Sequence, residues 1–283
     1  MTEPIGFIDA HVHVWTPDTA HYPLAPGYTI EHMKPRSFTP EELFKHSKPA
    51  GVQRINLIQM SFYGFDNRYM LHMIALHPDV FVGTAVIDPH EAAPEKRMAE
   101  LAKQGVRAFR IHPRLSKQPA EKWLQPDGYK AMFAFGAKQN LAMSCLIFPD
   151  GLPEVERMCK LYPDTPVIID HLARVGGDGT IRDADVAALC ALAKHPRVLV
   201  KVGAFYALGK KQPPYADLAP VIQAVVKAFG ARRCMWESDC PFQVVDHSYA
   251  DSIDLVRKRL DFLTDDDRDW LLRRTAAEFF FAK

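Results

Sequence analysis

Ile5-Gly6-Phe7-Ile8-Asp9-Ala10-His11-Val12-His13-Val14-Trp15 opens with an apolar run and gives out in two histidines two residues apart. A short apolar run of this kind reads as a buried strand. Side chains alternate faces along a strand, so His11 and His13 project the same way, with Asp9 one step below them. Two imidazoles side by side at the carboxyl end of a buried strand are a ready pair of nitrogen ligands for a divalent metal. Taken alone, the stretch fits equally well two strand histidines hydrogen-bonded to a loop, so the rest of the chain has to decide.

Outward from that strand the plan repeats. A long, proline-rich connection over 16–39 contains Tyr22-Pro23-Leu24-Ala25-Pro26-Gly27. Unstructured loops of this length are uncommon in compact domains, and Trp15, Tyr22, Tyr28 and Phe38 supply apolar anchors, so it reads as an ordered lid. Thr39-Pro40-Glu41-Glu42 then starts a helix that ends near Gly51. Further strands are expected at 54–60, 80–87, 106–111, 141–148, 166–170, 198–203 and 233–239. Helices are expected at 67–77, 94–104, 127–139, 152–161, 183–194, 216–229 and 249–263, with a long loop from 112 to 125 and a closing helix capped by Thr264. Strict alternation implies parallel strands joined by right-handed crossovers. Eight such units plus a terminal helix are the arithmetic of an α/β chain forming one (β/α)8 TIM barrel over 1–283. The competing open, doubly wound sheet lacks its usual Gly-x-Gly-x-x-Gly after the first strand.

Bulk composition narrows the function classes. The 283 residues are 48% hydrophobic and 24% charged, and 35 Lys and Arg against 34 Asp and Glu leave a net charge of +1. That balance makes no electrostatic case for nucleic acid or an anionic membrane. No stretch approaches the roughly 20 apolar residues of a membrane span. The first strand begins within a few residues of the start, without the pattern of a secretory leader. The five cysteines form no Cys-x-x-Cys and read as reduced, buried thiols. The expectation is a cytoplasmic protein, with a homo-oligomer left open.

In such a barrel the reactive residues stand at the carboxyl ends of several strands. Here these are His11 and His13 on strand one, Arg110 with His112 on strand four, Asp170-His171 with Arg174 just beyond strand six, and Glu237-Ser238-Asp239 on strand eight. Core filling does not explain those residue types on four separate strands. The planar forks of Arg110 and Arg174, with Arg114 as a third, suit a carboxylate and point to a small anionic substrate. The alternative for Arg174 is an ion pair with Asp178 of its own loop. Tyr63 and Phe62 on the second strand's loop are candidates for a pocket wall. His72, His77, His195 and His247 read as helix-surface or helix-end residues, and Gly176-Gly177-Asp178-Gly179 as a flexible loop over the mouth.

Ile8-Asp9-Ala10-His11-Val12-His13, Asp170-His171-Leu172 and Ser238-Asp239-Cys240-Pro241, in this order on strands one, six and eight, resemble the amidohydrolase superfamily. Val14-Trp15, Tyr22-Pro23-Leu24 and Asp66-Asn67-Arg68 are most similar to its branch of pyrone-dicarboxylate and sugar-acid lactonases and related decarboxylases. The resemblance spans nearly the whole chain. It implies that His11 and His13 line a metal site, that Asp239 takes a proton from the attacking water, and that His171 sits beside the reacting carbonyl. The chain departs from two-metal members in having no lysine or glutamate at the end of strand four. It departs from many one-metal members in having Cys145-Leu146-Ile147-Phe148-Pro149, without histidine, at strand five. The implied cofactor is therefore a single divalent metal, zinc or manganese, on His11, His13 and Asp239, or none, since some lactonases of the branch are metal-free. The implied activity is hydrolytic opening of a small carboxylated lactone. A metal-dependent decarboxylase or hydratase of an unsaturated acid, or a non-catalytic ligand-binding barrel, are the alternatives.

Overall fold

The computed structural model describes residues 6–116 and 118–282; Ile5, expected to begin the first strand, lies outside them. The strands are β1 (Phe7–Val12), β2 (Val52–Ile58), β3 (Phe81–Ala85), β4 (Val106–Ile111), β5 (Ala142–Cys145), β6 (Val167–Ile169), β7 (Val198–Gly203) and β8 (Cys234–Glu237). They form one sheet in sequence order, every neighbouring pair parallel. The circle closes through a parallel bridge between Val12 and Cys240. At that seam Asp239 N–H donates to His11 O (3.0 Å) and His13 N–H to Cys240 O (2.8 Å). The expected (β/α)8 barrel is therefore the fold found.

The outer helices are α1 (Pro40–Ser47), α2 (Arg68–Leu76), α3 (Pro94–Ala102), α4 (Asp127–Gln139), α5 (Leu152–Leu161), α6 (Asp183–Ala191), α7 (Ala219–Phe229), α8 (Tyr249–Asp254) and α9 (Asp265–Asp269). The helix expected at 249–263 passes into π-helix at Leu255–Arg259, and α9 continues through Trp270–Arg274 and Thr275–Phe280. The loop expected at 112–125 contains two short helical turns, Pro113–Ser116 and Ala120–Lys122.

The segment over 16–39, expected as an ordered lid, is anchored as its aromatics suggested, with one exception, and none of its residues lines the two site cavities. Trp15 and Phe38 form an antiparallel bridge, and Trp15 Nε1 donates to Pro35 O. Tyr22 packs edge-on against Tyr69 and its hydroxyl lies 2.6 Å from His72 Nδ1, which gives His72 a tethering task that a plain surface position would not have. Tyr28 is exposed and anchors little.

Inside the barrel, Ile8, Ala10, Val82, Ala108, Ala142, Ile168 and Met235 form an apolar plug at the amino ends of the strands, closed from below by Ala276 and Phe280. The carboxyl ends open on the polar cluster described next. No helix among the described residues is long and apolar enough to cross a membrane. All five cysteines are free thiols, and all but Cys190 are buried.

Candidate active site

The histidine pair owes its direction to an irregularity in β1. Asp9 pairs with Ile55 of β2, yet Val12 pairs with Leu57, so β1 takes three steps where β2 takes two. The extra residue resets the alternation of faces. Ile8 and Ala10 therefore join the lower plug, while His13 lines the mouth and His11 lies fully buried beside it against Asp239. Asp9 does not lie beneath them. Its Oδ1 accepts from the backbone N–H of His11 (3.1 Å) and of Ser238 (3.0 Å), and its Oδ2 from the hydroxyl of Tyr249 on α8 (2.6 Å). The carboxyl group thus fastens the β1–β8 seam to the outer layer, and burial lifts its pKa to about 7 against those hydrogen bonds.

His13 Nδ1–H donates to Ile58 O at 2.8 Å, which leaves a lone pair on Nε2. That atom lies 3.2 Å from His11 Nε2 and 3.3 Å from Asp239 Oδ1, and His11 Nε2 lies 3.5 Å from the same oxygen. Asp239 is held there by a left-handed backbone, φ 58°. Its Oδ2 accepts from the Tyr206 hydroxyl at 2.7 Å, and its Oδ1 is buried without a hydrogen-bond partner. Ligands 2.0–2.1 Å from a tetrahedral zinc stand roughly 3.3 Å apart. The spacing of the three atoms and the orphaned carboxylate oxygen both fit such an ion. Among the described residues His11, His13 and Asp239 form one group able to hold a metal, and His11, His171 and Glu237 a second.

The second group is already engaged in hydrogen bonds. Glu237 Oε1 accepts from His171 Nδ1 (2.6 Å) and from the His171 backbone N–H (3.1 Å), and Oε2 lies 3.1 Å from His11 Nδ1. A carboxylate behind a ligating imidazole fixes its orientation and raises its basicity. Burial disfavours the ionised form of Glu237, but His171 and His11 outweigh it and hold its pKa near 2. Burial likewise pulls His171 down, yet the carboxylates of Glu237 and Asp239 prevail and its pKa is raised. For His11 and His13 desolvation wins, lowering both, His13 to about 4. Asp239 is held well below the usual carboxylate range because His171, His13 and His11 overcome its burial.

A third layer lies under this one. Lys201 is fully buried, with Nζ 3.0 Å from Asp170 Oδ1 and 3.1 Å from His11 Nδ1. Ser144 Oγ donates to the same Asp170 oxygen (2.8 Å), and Arg110 Nε stands 3.5 Å from Asp170 Oδ2. Gly203 lets β7 pass close to β8, since a Cβ there would meet Glu237 O at 2.1 Å. His171, Leu172, Ala173 and Arg174 all have φ between 52° and 54°. Four successive left-handed residues cost on the order of 1 kcal/mol each, strain that concentrates where a site must be aimed.

Two lobes of about 310 and 260 Å³ open on this cluster and share His171, Arg174, Tyr206 and Asp239. One is walled by Met60, Ser61, Leu146 and Phe242 and includes His13 and Arg110. The other runs past Phe148 and Gly177 toward Leu208 and Lys211. Arg110 reaches His171 Nε2 with one guanidinium nitrogen at 3.3 Å. Arg174 does not pair with Asp178, whose partner is Arg182 at 2.7 Å; it lies over the Phe148 ring. His112 is half-buried, and desolvation together with Arg110, Arg114 and Arg174 holds its pKa at about 4. Arg114 is exposed on its short helical turn and lines neither lobe. Tyr63 is a correction: it is buried, with its hydroxyl between Thr16 N and Thr16 O at 3.3 Å, so Met60 and Ser61 form the wall instead.

Sequence reasoning passed over Lys201 and Tyr206 and left Glu237 and Asp170 without a task. Lys201 sits in an apolar run, Val198-Leu-Val-Lys-Val-Gly203, and a lone lysine in a strand bound for the core is a signal that could have found it. Tyr206 follows β7 in the short helical turn Phe205–Ala207, where nothing local marks it.

The sequence profile of the amidohydrolase family matches residues 8–282. The chain belongs to that family. It is 27% identical over 235 residues to an L-fucono-1,5-lactonase of Burkholderia ambifaria, covering 83% of this chain and 80% of the relative. It is 25% identical over 245 residues to a 4-sulfomuconolactone hydrolase of Rhizobium radiobacter, covering 84% and 76%. A crystal structure described as a putative 2-pyrone-4,6-dicarboxylic acid hydrolase of Pseudomonas putida superposes with a TM-score of 0.80 at 23% identity, over 98% of each chain. The superfamily and branch suggested by the motifs are thus the ones this chain is similar to.

Proposed function

We propose that this chain, acting as a single domain, opens a small carboxylated lactone by attack of water on the ring carbonyl. The observation that carries the reading is Asp239: an ionised carboxylate with one oxygen held by Tyr206 and the other bare, in the face shared by the histidine pair and both lobes. A group so placed accepts a proton from a water above it, and its depressed pKa keeps it charged to do so. Arg110 and Arg174 hold the substrate carboxylate, with His112 beside them and Arg114 adding positive charge at the rim. His171, its Nδ1 proton anchored on Glu237, presents Nε2 to the substrate. Arg110 now donates to that nitrogen at 3.3 Å; once its fork turns to the substrate carboxylate, the raised pKa of His171 lets Nε2 carry a proton and stabilise the developing oxyanion. His11, His13 and Asp239 would hold one divalent cation, zinc or manganese, which when bound polarises the carbonyl and makes water a stronger acid. The two sequence relatives, one named for a sugar-acid lactone and one for an anionic muconolactone, support the reading.

The test is a panel of five- and six-membered lactones with and without a ring carboxylate, followed by acid release in an indicator assay. Turnover confined to carboxylated members is the expected result. No acid release from any of them, or turnover indifferent to the carboxylate, would overturn the proposal.

A further inference from the structure

His11 is the one metal-site imidazole whose proton can rest on either nitrogen, and its neighbours disagree about where it should be. On the Nδ1 side Lys201 Nζ, 3.1 Å away, is aligned as a hydrogen-bond donor. Glu237 Oε2 lies at the same 3.1 Å but out of line, and it is buried with no hydrogen-bond partner. On the Nε2 side His13 Nε2 stands 3.2 Å off in hydrogen-bond geometry. It can only accept, because its own proton is committed to Ile58 O. An ammonium has donors and no lone pair. The contacts therefore close into one directed chain: Lys201 Nζ–H to His11 Nδ1, His11 Nε2–H to His13 Nε2, His13 Nδ1–H to Ile58 O.

We propose that Lys201 tunes metal affinity by holding His11 as the Nε2–H tautomer, and that a metal gains this ligand only when the proton moves to Nδ1 and the Nδ1–H donates a hydrogen bond to Glu237 Oε2. The proton count balances. One proton leaves Nε2, one arrives on Nδ1, and the imidazole stays neutral throughout. Lys201 then rests on Asp170 Oδ1, already 3.0 Å from its Nζ. Lys201 and Glu237 are thus opposing positioning residues for one ring: the lysine favours a hydrogen-bonded pair of histidines, the glutamate favours a liganding pair. Neither residue needs to touch substrate for this, and the inference does not rest on the lactone reaction.

Two measurements test it without any substrate. In nitrogen-15 NMR of the metal-free full-length protein, His11 is expected to carry its proton on Nε2 and to show an unprotonated Nδ1. Zinc dissociation constants, taken by competition with a chromophoric chelator on circular-dichroism-verified folded protein, are expected to move in opposite directions. Lys201→Met should bind zinc about tenfold more tightly or better, because Nδ1 is then free to turn its proton to Glu237. Glu237→Gln should bind about tenfold more weakly, because its amide must turn oxygen to His171 and NH2 to His11. If Lys201→Met fails to fold, the tautomer of the wild-type protein decides alone. A His11 protonated on Nδ1 without metal, or a folded Lys201→Met with unchanged or weaker zinc binding, would overturn the proposal. Neither outcome would touch the lactone reading, which stands or falls on acid release.

Discussion

The two ends of this barrel are built from the same strands, two residues apart, and have opposite chemistry. Ala108 belongs to the apolar plug and Arg110 to the site; the same step separates Ile168 from Asp170, Ala142 from Ser144 and Met235 from Glu237. The amino end is closed by Ala276 and Phe280. The carboxyl end buries His11, His13, Arg110, Asp170, His171, Lys201, Glu237 and Asp239. There Arg110 Nε, Asp170 Oδ2, Glu237 Oε2 and Asp239 Oδ1 have no hydrogen-bond partner. It also holds the left-handed residues His171, Arg174, Ala204 and Asp239. Buried, unsatisfied polar atoms and left-handed backbone both cost stability. One end of the barrel therefore supplies the stability that the other spends on being aimed.

Substitutions at each end should separate the two contributions. Asp239→Asn is expected to lower turnover of a carboxylated lactone by roughly a hundred- to ten-thousand-fold while the protein stays folded. Steady-state kinetics with a thermal melt checks both halves, and near-full turnover would remove Asp239 as the base. Phe280→Ala should do the reverse. Emptying this fully buried ring site costs about 3–5 kcal/mol, read as a lower denaturant midpoint, with kcat/KM of the surviving folded protein nearly unchanged. A matching loss of turnover per folded molecule would show that the two ends are coupled. Tyr206→Phe removes one hydrogen bond to the Asp239 carboxylate, a contact worth about 1.5–3 kcal/mol. It should lower kcat about tenfold or more with little change in KM; a change in KM alone would make Tyr206 a substrate contact.

The smallest effect belongs to neither end. Glu156 on α5 is hydrogen-bonded by Lys160 and Lys194, which lower its pKa from 4.5 to about 2. Its contribution to stability is present above pH 4.5 and is lost as pH falls toward 2. Being near the surface and screened, it is worth less than about 1 kcal/mol. Lys194→Ala should therefore melt slightly lower at neutral pH, and the gap to wild type should close on acidification. A gap that stays constant would assign the effect to packing.

Much of the fold was legible in the sequence, because alternation of short apolar runs with helical segments leaves few topologies. Strand ends were overextended, as at β5, where residues expected to continue the strand lead into a helical turn at Pro149–Gly151. His11, His13, Arg110, His171, Arg174 and Asp239 converge because position at a strand's carboxyl end is itself the signal. Asp9 was misplaced because period-two reasoning cannot see a bulge. Lys201 was passed over although its apolar neighbours mark a strand bound for the core, where a lone lysine needs a partner. Tyr63 was read as a wall because it lies in the right loop, and only the packing of Thr16 against its hydroxyl turns it away.

The most direct test of the central claim is ring opening in water labelled with heavy oxygen, analysed by mass spectrometry of the product. Attack on the carbonyl by water that Asp239 deprotonates predicts one labelled oxygen in the newly formed carboxylate and an unlabelled hydroxyl. Label in the hydroxyl, or loss of carbon dioxide without incorporation, would contradict it and transfer the site to hydration or decarboxylation.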